Sequence, residues 1–173
     1  MYQAGVKNIT LYENKGIRFM YYNQDDLSLI TDITSTGAVI AVENLQRPKL
    51  DINSNFAKSG KLYHSYKVEF NLLGLLQDNL LLINQLVDSI FGWCALIEFY
   101  DGEKRFYPAQ LFCRGSEINP SEEMSFKIEL VSPVPSSKTF LNYTAGQSLN
   151  PVYRWDSMIL SWDSEIYTFD YEQ

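Results

Sequence analysis

Most enzymatic chemistry is built from histidine, cysteine, activated hydroxyls and converging carboxylates, and this chain offers few settings for any of them. It has one histidine, His64, and two cysteines, Cys94 and Cys113. His64 falls on the apolar side of an alternating run, which predicts a packed or hydrogen-bonded structural ring rather than a general base. The cysteines lie in two runs, WCALIEFY and KRFYPAQLFC, joined by Asp-Gly-Glu, which reads as a hairpin turn. A two-residue turn places Cys94 opposite Ala109, and a four-residue loop places it opposite Leu111. In neither register do the sulfurs meet, so free buried thiols are expected, as in a reducing cytosol. No serine stands in a nucleophile elbow, and no glycine-rich phosphate loop follows a strand. The acidic pairs Asp25-Asp26 and Glu122-Glu123 fall in polar turns, where adjacent acids are ordinarily solvated. No catalytic residue, metal or cofactor is therefore expected, and the chain does not read as an enzyme.

The C-terminal segment allows one sharper idea. Arg154-Trp155-Asp156-Ser157 is echoed by Ser161-Trp162-Asp163-Ser164 and more faintly by Thr168-Phe169-Asp170, at a spacing of seven. Asp156, Asp163 and Asp170 could hold calcium, or Trp155 and Trp162 could stack on sugar rings as in a carbohydrate-binding module. Calcium repeats need glycines for their tight turns, and none stands between Pro151 and Gln173. The expectation is that each Asp bonds its own turn backbone while the aromatic residues pack on the domain or on a neighbouring copy.

These side chains must be positioned by a chain of 173 residues, long enough to bury roughly 70% of its unfolded surface. With 46% hydrophobic and 20% charged residues it lies in the globular range. Its 14 Lys and Arg against 21 Asp and Glu leave a formal charge of -7, which argues against a protein that grips phosphates. The first ten residues contain no apolar signal core, and the greasy stretch from Leu72 to Tyr100 is broken by Gln77, Asp78, Asn84, Asp88 and Glu98. Neither a signal peptide nor a membrane span is expected.

Most of the chain reads as strands. After a short run at Val39 to Val42, the run Arg47 to Phe56 puts Leu50, Ile52, Ser54 and Phe56 on one face, with Asp51, Asn53 and Asn55 on the other. A Lys-Ser-Gly-Lys turn at 58 to 61 leads to a second alternating strand that ends at Leu72 or Leu73, completing a long hairpin. From Asp78 to Phe91 the period changes to three and four, which predicts a helix that buries Leu80, Ile83, Val87 and Ile90, with Asp78 as N-cap and Gly92 just past its end. Trp93 to Tyr100 is apolar on both faces except at Glu98, as a central covered strand would be. Glu123 to Leu130 alternates again, with Met124, Phe126, Ile128 and Leu130 inward. Pro133 to Ser137 ends the strand and opens a linker.

This order of parts, from about Val39 to Tyr143, resembles bacteriophage tail structural proteins, in particular tail tube proteins of Bacteroides-type phages and prophages. In that type a Gly-x-Leu-Tyr strand, here Gly60, Leu62 and Tyr63, precedes a helix and a Phe-x-Asp-Gly hairpin, here Phe99, Asp101 and Gly102 with Tyr100 between them. The resemblance implies two packed, mostly antiparallel sheets flanked by one helix, assembled into hexameric rings that stack as a DNA conduit in the virion tail after assembly in the bacterial host cytoplasm. The chain then divides into N-terminal strands over residues 1–36, a tail-tube-like core over 37–143 with its helix at 78–91, and a linker with a C-terminal aromatic arm over 144–173. Asp51, Glu69, Glu123 and Glu129 become candidates for an acidic lumen that repels phosphate. Lys58, Ser59, Gly60, Lys61, Trp155, Trp162 and Phe169 become candidates for contacts with other copies or other tail proteins. A tail adaptor, terminator or ring protein shares these features, and a monomeric sugar-binding module is the alternative from another class.

Overall fold

A computed structural model describes residues 5–22, 25, 27–42, 45–73, 77–119, 125–136, 139–145 and 152–155, with the main chain alone at 45, 73, 77–79, 115–119, 125–126 and 152–155. Its described residues are mainly β, with one helix. The N-terminal strands are β1 (Val6–Glu13), β2 (Arg18–Tyr21), β3 (Leu29–Thr34) and β4 (Val39–Ala41). The long hairpin is β5 (Leu45–Phe56) and β6 (Leu62–Leu73), followed by helix α1 (Gln77–Asp88). Then come β7 (Trp93–Phe99), β8 (Lys104–Asn119), β9 (Ser125–Val131), β10 (Leu141–Tyr143) and β11 (Val152–Trp155).

Eight strands run side by side in the order β11-β2-β3-β10-β8-β7-β1-β4, and a second ladder, β5-β6-β9, joins them because β9 pairs with the far half of β8. The sheet is mixed. β10 lies parallel to β3, and every other named pairing is antiparallel. The 16-residue β8 thus belongs to both ladders.

Two apolar clusters lie on opposite faces of β7. One is built from Ile9 and Leu11 of β1, Phe70 and Leu72 of β6, Leu86 of α1, and Ile97, Leu111 and Leu130, all buried. The other gathers Phe19, Ile30, Ile33, Cys94 and Phe106. In an extended chain neighbouring side chains point to opposite faces, so Cys94 enters one cluster while Trp93 and Ala95 enter the other. The doubly covered central strand read from the sequence is present. Phe19 of β2 reaches Phe106 of β8, with ring centroids 5.5 Å apart, although β3 and β10 stand between those strands, so this wing of the sheet folds over β8. The first 36 residues supply β1 to β3, and β1 is an interior strand flanked by β7 and β4.

Prolines mark the irregular points. Pro48 falls where β5 shifts register against β6 between Gln46 and Lys49, beside Arg47 at φ 46°. Pro108 falls where β8 shifts against β7. A proline has no amide to give to a ladder, and a bulge is where none is required. The turn between β7 and β8 is neither of the two expected from sequence. Phe99 N donates to Glu103 O at 2.8 Å, leaving a three-residue loop, and the bulge then shifts the register, so Cys94 lies opposite the Pro108 to Gln110 stretch. Neither cysteine is in a disulfide; Cys94 is buried and Cys113 half-buried.

The helix ends at Asp88, not Phe91. It buries Ile83 and Leu86, with Leu82 packed against the same cluster, and the Trp93 indole N–H donates to Leu86 O at 3.2 Å. Of the stripe expected to be buried, Ile83 is, but Leu80 and Val87 are 44% and 51% exposed, and Ile90, past the helix end, is 80% exposed. At Gly92 φ is +73°, and a Cβ there would stand 2.8 Å from Leu111 O. Only glycine allows that turn into β7.

Candidate assembly surface

β9 supports β6 only from Leu73 to Lys67, where Val131 is the last partner. Beyond Lys67, the chain after β9 still touches β6 where Ser132 bonds Tyr66, and then through an isolated bridge between His64 and Ser136. The outer parts of β5 and β6 therefore project as a two-stranded finger. Its turn closes with Ala57 N donating to Lys61 O and Gly60 N to Ala57 O, at 2.8 and 2.9 Å, and Gly60 takes φ +80° in open space. Lys58, Ser59, Gly60 and Lys61 all sit at this exposed tip, where the sequence placed them as contact residues.

One face of the finger is apolar. Ile52 lies opposite Tyr66, Ser54 opposite His64, and Phe56 opposite Leu62, so these six share a side. The alternation reads as a half-buried strand, yet on this side only Leu50 and Tyr66 pack on the core, while Ile52, Phe56 and Leu62 are 39%, 76% and 40% exposed. His64 is structural here: its Nδ1 and the Ser54 hydroxyl share a hydrogen bond of 2.7 Å, and its backbone exchanges two bonds with Ser136. The outer edge of β5 has no strand partner among the described residues.

The opposite, polar face of this ladder carries the candidate lumen acids, and lysines stand among them. Lys49 pairs with Asp51 at 3.2 Å, Lys67 with Glu69 and with Glu129 at 3.7 Å, and Lys127 with Glu129 at 3.1 Å. Register explains the network: Asp51 lies opposite Lys67, Glu69 opposite Glu129, and Asn71 opposite Lys127, so each acid has a cation across or diagonal to it. The Lys127 hydrogen bond, chiefly, holds the Glu129 carboxyl below the usual carboxylate range. The Glu69 hydrogen bond, chiefly, lifts Lys67 above the usual lysine range. Asp51, Glu69 and Glu129 thus share one face, but it is charge-balanced rather than acidic. Glu123 lies outside the described residues.

Among the C-terminal candidates, Trp155 ends β11, whose main chain pairs with β2 from Val152 opposite Tyr21 to Trp155 opposite Arg18. Trp162 and Phe169, and with them the remaining Trp-Asp-Ser repeats, lie outside the described residues. The exposed residues Leu80, Leu81, Val87 and Ile90 were missed as surface residues, since a run apolar on nearly every side signals no outward face. At the turn of β7 and β8, Arg105 stacks between Phe99 and Phe140, 5.2 and 4.5 Å from their centroids, and makes a two-pronged bond to Glu103. Beside it the Tyr107 hydroxyl is buried without a hydrogen-bond partner among the described residues. Burial raises its pKa, and nearby Arg105 acts against that rise.

Among the described residues no group of three or more His, Cys, Asp and Glu is placed to hold a metal ion, and no helix is long and apolar enough to cross a membrane. The sequence matches no protein-family model and no curated protein.

Proposed function

We propose that this chain is a structural subunit of a bacteriophage tail: a β-sandwich of the tail tube kind that joins copies of itself into rings, hexameric as in the family it resembles, stacked in the virion tail as a conduit for DNA. The observation that carries this reading is the β5–β6 finger, which projects past its supporting strand with an apolar tip and an outer edge that has no strand partner among the described residues. Such an element is a liability on a monomer and a joint in an assembly. The paired face of Asp51, Glu69 and Glu129 suits a wall past which a polyanion slides. Its lysines are engaged by carboxylates, so phosphates meet a hydrated surface with no free cationic grip.

Electron microscopy of negatively stained, purified protein tests the proposal. Rings with a central hole are expected, stacked into tubes for a tube protein and single for an adaptor or terminator. Compact particles without a hole at every concentration would overturn it.

A further inference from the structure

Among the described residues two separate apolar surfaces stand exposed. One is the finger tip, Phe56 and Leu62, crowned by Lys58 and Lys61. The other is the outer side of α1. At 100° per residue Leu80, Leu81, Asn84, Val87 and Asp88 form one continuous stripe, and all five are exposed. Three of the five are large apolar residues, a composition that a solvated helix face does not favour.

The two surfaces belong to opposite ends of β6. The finger tip lies at the start of β6 and α1 follows its other end, with only residues 74–76 between them. The twelve residues of β6, eleven steps of about 3.3 Å, set the two ends of that strand roughly 36 Å apart. The two surfaces complement each other. The finger turn carries two lysines, whereas α1, with sequence QDNLLLINQLVD, contains two aspartates and neither lysine nor arginine. The helix dipole adds further negative character at the Asp88 end, beyond which Lys15 sits over the Phe91 ring at 5.4 Å.

We infer that the finger tip of one copy docks on the outer face of α1 of the next, Phe56 and Leu62 packing on Leu80, Leu81 and Val87 while Lys58 and Lys61 face the acidic helix. This contact rests on the tail-subunit reading and names the joint that reading requires. Two different patches at opposite ends of β6 make a head-to-tail contact, which propagates from copy to copy and closes into a ring or extends as a stack according to the rotation between copies.

Charge reversal on the full-length protein tests it by sedimentation velocity, with circular dichroism as the check on folding. Lys58→Glu with Lys61→Glu, and separately Asn84→Lys with Asp88→Lys, should each raise the concentration at which copies associate by more than about tenfold. Combining all four substitutions should restore association. In a Cys113→Ser background, Ser59→Cys and Val87→Cys proteins should form a disulfide-linked dimer when mixed, and neither should do so alone. Failure of the combined variant to recover, or a response to the helix changes alone, would overturn the contact; the latter outcome would assign the helix face to another occupant such as the chain's own C-terminal segment. Rings that persist through every reversal would overturn the contact but leave the tail reading standing. Rescue in an assembly without a central hole would sustain the contact and remove the tail reading. A monomer at all concentrations would defeat both.

Discussion

At the scale of single residues, the charges on the β5-β6-β9 face set a testable pH response. Glu129 has a depressed pKa in the fold, so its contribution is present above the unfolded carboxylate range and is lost as pH falls through the folded value. Lys67 has a raised one, so its contribution is complete below the ordinary lysine range and is lost as pH rises through the folded value. Between those limits both contributions are present. Because Lys127 is the chief cause for Glu129, Lys127→Met should make the urea midpoint fall less between neutral and acid buffer than it does in the parent. Equal falls would show that the pair is solvated and silent, the usual fate of exposed ion pairs. Tyr107 presents the opposite case, a buried hydroxyl that meets no hydrogen-bond partner in good geometry among the described residues, with Arg105 nearby. Tyr107→Phe removes the orphan and should be neutral or stabilising. A loss above about 1 kcal/mol on chemical denaturation would reveal a partner.

At the scale of elements, the helix separates two kinds of apolar residue that look alike in sequence. Ile83→Ala removes buried methyl groups and should destabilise by about 2 to 5 kcal/mol, whereas Val87→Ala on the exposed side should change stability by less than about 0.5 kcal/mol. Comparable losses at both positions in thermal or urea unfolding would mean that the helix presents a different face to the core. This is also where the sequence was hardest to read. The hairpin and β9 were legible because a strand on a half-buried ladder must alternate, and the polar neighbours of Leu50, Val68 and Ile128 mark the outward side; β7 was legible because a strand covered on both faces is apolar throughout. In α1, Leu80, Leu81, Leu82, Ile83, Leu86 and Val87 cover most of the circumference, so periodicity reveals a helix without revealing its inner arc. The exposed tip at Phe56 escaped for a related reason: alternation continues past the end of β9, and nothing local announces that the support has stopped. The candidate tip residues at Lys58 to Lys61 were legible from the glycine turn alone. The lysines that neutralise Asp51, Glu69 and Glu129 were visible as residues, but their pairing needed the register.

At the scale of the whole molecule, the two apolar clusters as described are assembled from residues between Val6 and Tyr143. Deleting residues 151–173 should therefore leave a cooperatively folding protein with an exposed β2 edge and altered assembly, measured by calorimetry and sedimentation. An unfolded product would show that the C-terminal segment belongs to the core. Strand β8 bears on a different property. Its first half is held by β7 and β10, its second by β9, and through β9 it reaches β6 and the finger. A tug on the finger along β6 loads the β6–β9 and β9–β8 hydrogen-bond rungs in shear, many at once, and delivers the force through one unbroken backbone into the other ladder. An isolated hairpin pulled apart at its ends would instead unzip rung by rung. In single-molecule pulling, load applied between the finger tip and β1 should meet a high rupture force with one abrupt event, so that strain between neighbouring subunits is carried across the whole fold rather than absorbed at its edge.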